Sequence, residues 1–291
     1  MMHSLKDFEY FAPTTLDEAL SLMNRYGEAA EIIAGGTDLL PSMKQSEVRP
    51  KYIISLKRIP ELDHIEYSEK GGLKIGALAT LQSIASSAII KDKFELLAMA
   101  CNQMANPRIR NTGTVGGNVC NAAPSADTAP PLIGLEAKAK IRGGLKGERI
   151  VLFEEFFTGP GQTVLQSGEI LTEIQIPNPS PHTVGTYLRL SGRSRINIAL
   201  VGVAVVFRLD QGNIIDPKIV LGSVAPTPIR AHTAEETIKG KAIGDELIEK
   251  AAQAAAEEAK PISDIRSSAE YRKEVVKVLT RRAIEQVIAA A

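Results

Sequence analysis

Between Asn111 and Pro131 the chain reads NTGTVGGNVCNAAPSADTAPP. Three glycines and three prolines fall in this stretch, and Asp127 is its only charged residue. Glycine weakens and proline interrupts regular elements, so the segment is expected to run as an irregular loop. Ordinary surface loops are more polar. Side chains this small leave the backbone open to something that approaches it closely. A second stretch of the same character, AGGTDLL, spans Ala34–Leu40.

Consecutive backbone N–H groups without bulky side chains form nests that bind phosphate oxygens. Thr37, Thr114 and Asn118 add side-chain hydrogen-bonding groups to the two loops. Two such loops suit a pyrophosphate approached from both sides, as in a dinucleotide. The bland reading stands beside this one. A single GG pair more commonly marks a turn, and Asp127 has the alternative role of N-cap to the segment TAPPLIGLEA. Neither loop is the GxGxxG of a Rossmann fold or the GxxxxGK[ST] of a P-loop, which argues against ordinary nicotinamide dehydrogenases and NTPases.

Other chemistries are excluded residue by residue. Lys+Arg and Asp+Glu balance at 34 each, which argues against a nucleic-acid binder. No apolar run reaches membrane-spanning length. The start, MMHSLKDFEYFAP, lacks the apolar core of a signal peptide, and with two cysteines in no CxxC arrangement the expected compartment is the reducing cytoplasm. Cys101 and Cys120 form no CxxC motif, which removes support for an iron–sulfur or structural zinc site. His3, His64, His182 and His232 fall in no metal-ligand spacing and read as surface or turn residues. No catalytic triad and no metal site is identified. The chemistry belongs to a group the protein holds.

Patterning predicts an α+β chain. A helix starts after Thr14 and Thr15 and stops at Gly27. EIIAGGTDLLPSMK reads as a strand, a glycine turn and a helical turn. Strands follow at Ile53–Leu56 and Leu73–Ile75, then helices over TLQSIASSAII and KFELLAMACNQMA, the second ended by Pro107. APPLIGLEAKAKIRG turns from helix to strand, and ERIVLFEEFFTG and EILTEIQIP supply more strand. A composition break at Pro177–Gly185 marks a linker. Beyond it, three strands form an antiparallel meander, with Asp210–Asn213 as a turn, and helices near Asp245–Lys260 and Ser267–Ala290 close the chain.

Four segments together, IIAGGTDLLPSMK, NPRIRNTGTVGGNVCNAAPSADTAPPLIGLEA, GEILTEIQIP and YLRLSGRSRINIALVGVAV, resemble the FAD-binding medium subunits of molybdenum hydroxylases. Xanthine dehydrogenase and carbon monoxide dehydrogenase are of this type. The resemblance covers essentially the whole chain. It implies an N-terminal FAD-binding domain of the vanillyl-alcohol-oxidase (PCMH) type over 1–177, in two α+β subdomains of about 1–56 and 57–177. A C-terminal domain of a three-stranded antiparallel sheet with helices would occupy 178–291, with FAD extended between the two.

The resemblance also implies site residues. Ile32, Ile33, Ala34, Gly35, Gly36, Thr37, Asp38 and Leu39 form a first pyrophosphate loop. Thr114, Gly116, Gly117 and Asn118 form a second. Asp127 accepts from cofactor hydroxyls, a turn at EILTEI sets Ile170 or Leu171 against the flavin ring, and Arg189 supplies a basic group near it. Met104 and Ile109 complete the set. Tyr187 and Leu188 fall where some relatives place an aromatic beside the ring, and Leu188 departs from that pattern. The implied function is electron transfer from iron–sulfur clusters through noncovalent FAD to NAD or another acceptor. The implied partners are a molybdopterin-binding large subunit and a 2Fe–2S small subunit, which hold those cofactors. A stand-alone FAD-dependent oxidase or dehydrogenase, and a cofactor-free binding or assembly protein of the same fold, are the alternative readings.

Overall fold

Thr15 starts the first helix, Leu16–Tyr26, by accepting from Glu18 N at 3.2 Å. Asp17 and Glu18 sit in its first turn, where helix-terminal N–H groups favour acids. Gly27, at φ +52°, ends it. Leu16, Ala19 and Leu20 are its buried face, packed with Ile54, Leu56 and Ile59 in a small core. The computed structural model describes residues 7–143, 147–192, 198–242 and 244–291. His3 and the 193–197 part of the fourth resemblance segment lie outside the described residues.

The first helix covers a parallel three-stranded sheet. Strands β1 (Glu9–Phe11), β2 (Ala30–Ile33) and β3 (Tyr52–Ser55) are ordered β1-β3-β2. The sharp exit from β2 is the first glycine stretch, which runs into a short helix at Leu39–Lys44. A five-stranded antiparallel sheet follows. It contains β4 (Ile65–Ser68), β5 (Gly72–Gly76), β6 (Lys138–Gly143) and β7 (Gly147–Leu152). After the small hairpin of β8 (Phe157–Gly159) and β9 (Gln162–Thr163), β10 (Glu169–Ile176) enters between β5 and β6, giving the order β4-β5-β10-β6-β7. The third sheet runs β11 (Thr183–Ser191), β12 (Ala199–Asp210), β13 (Asn213–Gly222) and β14 (Ile229–Arg230) in sequence order. Its three long strands are the expected meander, and the two-residue β14 adds a short fourth at the edge.

Helices Asp245–Glu258 and Ala269–Ala290 pack on one face of that sheet. Arg272, 5% exposed, fixes the second of them: its guanidinium donates to Ser223 O at 3.2 Å and to Asp264 Oδ1 at 2.8 Å. The other face receives the helix Ala129–Gly134, all six residues of which are buried. A Cβ on Gly222 would lie 2.7 Å from Pro130 Cγ. The small residues at the end of the 111–131 stretch therefore serve close packing between sheet and helix, rather than a ligand.

Several local expectations are corrected. Residues Val115–Cys120 form a short helix capped by Thr114, so TVGGN is a helix start and not an irregular loop. Pro107 opens a helical turn, Pro107–Arg110, instead of ending the preceding helix, which stops at Gln103. Proline suits the first helical turn because its missing N–H has no intrahelical acceptor there. Phe153–Phe156 is helical within the stretch read as strand, and Ser87 divides TLQSIASSAII into two helices. EILTEI is strand with a bulge between Leu171 and Glu173, not a turn. A further helix, His232–Ile238, has no counterpart in the sequence reading. Among the described residues no helix is long and apolar enough to cross a membrane.

Candidate functional site

Three segments converge at the junction of the first two sheets and the third. The exit of β2 meets the 112–113 backbone so closely that a Cβ on Gly35 would lie 2.2 Å from Thr112 O. Residues 77–81 are sewn to the Thr114 helix: Gly116 N donates to Ala77 O at 2.9 Å, Val115 N to Ala79 O at 3.0 Å, and Leu81 N to Gly113 O at 3.0 Å. Ala77 N in turn donates to Thr172 O on β10 at 2.9 Å. The hollow they enclose is a cavity of about 670 Å³. That lies within the ~300–1,000 Å³ usual for small-molecule and cofactor sites.

Every site residue named from sequence lines this cavity: 32–39, Met104, Ile109, Thr114, Gly116, Gly117, Asn118, Asp127, Ile170, Leu171 and Arg189. Sequence reasoning missed Leu78, Leu81, Cys120, Leu165, Glu169 and Ile198, among others, which also line it. Most are ordinary apolar residues whose pattern signals burial and nothing more.

The two glycine stretches do different things. Among the described residues, no acceptor meets the backbone N–H groups of residues 34–39. Gly36 adopts φ +73°, the left-handed turn that lets this run curl around a point. This is a nest of free donors, the geometry that suits a phosphate. The second stretch departs from that expectation. The N–H groups of Val115, Gly116 and Gly117 are already bonded to Ala79 O, Ala77 O and Thr114 Oγ1. Its contribution is shape. A Cβ on Gly117 would meet only Thr114 Oγ1 at 3.0 Å and Ala34 Cβ at 4.0 Å, so the cavity side of Gly117 stands open. Asn118 Oδ1 accepts from Thr128 Oγ1 at 2.6 Å, which ties the helix to the Asp127 segment.

Asp127 is not a helix cap. The Ala129–Gly134 helix is preceded by Thr128 at the cap position and has no side-chain cap bond. Asp127 is 5% exposed, and its Oδ1 accepts from Tyr187 Oη at 2.7 Å and lies 3.0 Å from Arg189 Nε. Burial pushes its carboxyl upward, and the Arg189 charge and the Tyr187 bond pull it back. Arg189 also donates to Gln103 O at 2.8 Å. Tyr187 is 1% exposed and does not line the cavity, and neither does Leu188, so neither stands in a ring-stacking position. Arg110 donates to Gln82 Oε1 at 3.0 Å and Met104 O at 3.0 Å. Burial pushes the Cys120 thiol up to about 12, away from the thiolate form that a nucleophile needs.

Also in the cavity lining, Glu169 begins β10 directly before Ile170 and Leu171. Its carboxylate takes a two-point contact from Arg149, Nε at 2.9 Å and Nη2 at 2.7 Å, and accepts from Gln166 N at 2.8 Å. A planar guanidinium engaged at two points fixes the carboxylate in direction as well as place. Among the described residues no cluster of His, Cys, Asp and Glu can hold a metal. The lining fits a phosphate-containing ligand with an apolar part: the N–H groups of residues 34–39, which no acceptor among the described residues meets, the apolar Ile170 and Leu171, and the charged Arg189 and Asp127.

Comparison with known proteins agrees with this fit. Residues 6–179 match the family model described as the FAD binding domain in molybdopterin dehydrogenase. Residues 186–287 match that of the CO dehydrogenase flavoprotein C-terminal domain. The xanthine dehydrogenase FAD-binding subunit of Escherichia coli O157:H7 is 32% identical, over 97% of this chain and 96% of the relative. The carbon monoxide dehydrogenase medium chain of Hydrogenophaga pseudoflava is 34% identical, over 95% and 96%. Among solved structures, carbon monoxide dehydrogenase from Hydrogenophaga pseudoflava, lacking the Mo-pyranopterin moiety of its cofactor, superposes with a TM-score of 0.95. It is 34% identical and covers 99% of each chain. Quinoline 2-oxidoreductase from Pseudomonas putida 86 gives a TM-score of 0.93 at 29% identity, again over 99% of each chain.

Proposed function

We infer the role of this protein from its kinship: the chain belongs to the FAD-binding medium subunits of the molybdenum hydroxylases, and is an oxidoreductase subunit. The reading is an electron-transfer flavoprotein that works with a molybdopterin-binding large subunit and a 2Fe–2S small subunit, and delivers electrons to NAD or another acceptor. The observation that carries it is a cavity lined both by the N–H groups of residues 34–39, which no acceptor among the described residues meets, and by the apolar Ile170 and Leu171. When bound, FAD supplies exchange between single-electron and paired-electron traffic.

The chain's own residues have definable tasks in this reading. The N–H groups of residues 34–39 hold the pyrophosphate, with Thr37 beside them. Gly117 keeps its helix low enough for the cofactor to pass. Asp127 accepts from a cofactor hydroxyl, and Ile170 and Leu171 keep water from the ring. Arg189 places a positive charge beside it. Met104 and Ile109 close the apolar side. The division into a cofactor domain over 1–177, with subdomains of about 1–56 and 57–177, and a C-terminal domain over 178–291 is part of the same proposal. Its support is that none of the three large sheets spans Pro177. A cytoplasmic location is supported by the two free thiols of Cys101 and Cys120, which suit a reducing compartment.

The purified full-length protein is expected to be yellow and to release free FAD into the supernatant on acid precipitation. Colour retained in the pellet, or no flavin at all, would overturn noncovalent FAD binding. The subunit role is tested by reconstitution. Omitting this chain from the complex should stop reduction of the acceptor, and turnover of a heterocycle or aldehyde by the chain alone would contradict it.

A further inference from the structure

We propose that Tyr187 is a positioning residue for the cofactor, acting through Asp127: its phenol holds one carboxylate oxygen so that the other is presented to the cavity. The inference rests on the reading of the cavity as the FAD site. It goes beyond that reading by giving a role to a residue that does not line the cavity.

Three observations carry it. First, Tyr187 and Arg189 are two residues apart on β11, so their side chains leave the same face of the strand, and both reach Asp127 Oδ1. Among the described residues no donor meets Asp127 Oδ2, yet Asp127 lines the cavity. One oxygen is therefore fully occupied by protein and the other is left for a ligand. Second, the strand backbone that carries the phenol is itself held. Gln103 Nε2 donates to Tyr187 O at 3.2 Å, and Gln103 O accepts from Arg189, closing a loop through the end of the Glu95–Gln103 helix. Third, room for the hydroxyl exists only because residue 202 lacks a side chain. A Cβ on Gly202 would lie 2.5 Å from Tyr187 Oη.

The groups around Asp127 set its charge. From β11 come Tyr187 and Arg189; from the Glu95–Gln103 helix comes the Cys101 thiol, which burial pushes far up and the Asp127 charge pushes further; Arg110 acts on Cys101 in the opposite sense. Burial raises the Asp127 carboxyl, and the Tyr187 hydrogen bond is one of two influences that lower it. Deleting the phenol hydroxyl removes a bond that favours the charged form, so Asp127 then protonates at a higher pH.

The test is a double-mutant cycle on the full chain, reading FAD dissociation constants across pH with the apo-protein melt recorded separately. Tyr187→Phe is expected to weaken FAD roughly tenfold at neutral pH, the scale of a hydrogen bond to a charged group. It should also move the acid limb of FAD affinity to higher pH. Asp127→Asn should weaken FAD at least as much and flatten that limb. In an Asp127→Ala background, which removes both carboxylate oxygens, Tyr187→Phe should cost nothing further, because the phenol then has no acceptor left to position. Additive losses, or an unmoved acid limb in Tyr187→Phe, would assign the phenol to packing alone and overturn the proposal. FAD affinity untouched by Asp127→Asn would overturn it too, while leaving the cofactor assignment standing. Absence of FAD binding by the unaltered protein would instead remove the assignment itself. Should Tyr187→Phe fail to fold, Gly202→Ala, which displaces the hydroxyl, must reproduce the shifted limb.

Discussion

Gly35→Ala is expected to cost both the cofactor and much of the fold's stability, whereas Gly117→Ala should cost the cofactor and little of the stability. At Gly35 the added methyl would stand 2.2 Å from Thr112 O and 2.9 Å from Gly113 Cα, and both are backbone atoms that have no rotamer in which to move aside. The two glycine stretches must separate, and with them the first sheet from the Thr114 helix. Overpacking at such a site costs about 3 kcal/mol or more. At Gly117 the nearest atom is a hydroxyl oxygen at 3.0 Å, and the next neighbour stands at 4.0 Å. There the methyl enters cavity space, and the fold loses at most about 1 kcal/mol through the disturbed Thr114 cap. Urea denaturation of the two apo variants, beside their FAD content, checks the contrast. Equal stability losses would show that Gly35 and Gly117 are constrained alike.

Arg149→Met has the second large effect. It strips the two-point guanidinium contact from Glu169, whose side chain is 2% exposed, while leaving the carboxylate in place. Breaking one side of a buried pair costs about 3–5 kcal/mol, and the lower end applies because the Arg149 side chain is 35% exposed and partly screened by water. The consequence reaches the cavity, since Glu169 also fixes Gln166 N and starts the strand that carries Ile170 and Leu171. FAD affinity should fall with stability. The double replacement Arg149→Met with Glu169→Leu should recover part of the stability, because an apolar pair avoids the buried charge. A single Arg149→Met variant as stable as the parent would show that the pair contributes nothing.

The chain's own order of residues was sufficient for the elements made by local rules. Thr15 with Gly27 delimits the first helix because a cap and a positive-φ stop act within a few residues. The alternation and turn of 199–222 produce the β12–β13 hairpin for the same reason. The two glycine stretches and Asp127 were also legible, because small residues with hydroxyls and one acid are costly anywhere except against a ligand or a neighbouring backbone, whereas Met104, Ile109, Ile170, Leu171 and Arg189 followed only from the family resemblance. What could not be read was which of those two applied at each glycine. Gly36 and Gly117 face open space or a turn, while Gly35, Gly116 and Gly222 are small because Thr112, Ala77 and Pro130 approach from elsewhere in the chain. The same holds for donors. Residues 34–39 and 115–117 look equivalent in sequence, but the second run spends its N–H groups on residues 77–79 and on its own cap. Tyr187 passed for a candidate stacking residue until its partner, sixty positions earlier, was known. Local rules act within a turn of chain, so sequence alone determined the capped first helix and the β12–β13 hairpin and marked the two glycine stretches of the site. Occupancy of backbone donors and the approach of distant segments depend on contacts of long sequence separation, and only the tertiary structure decided them.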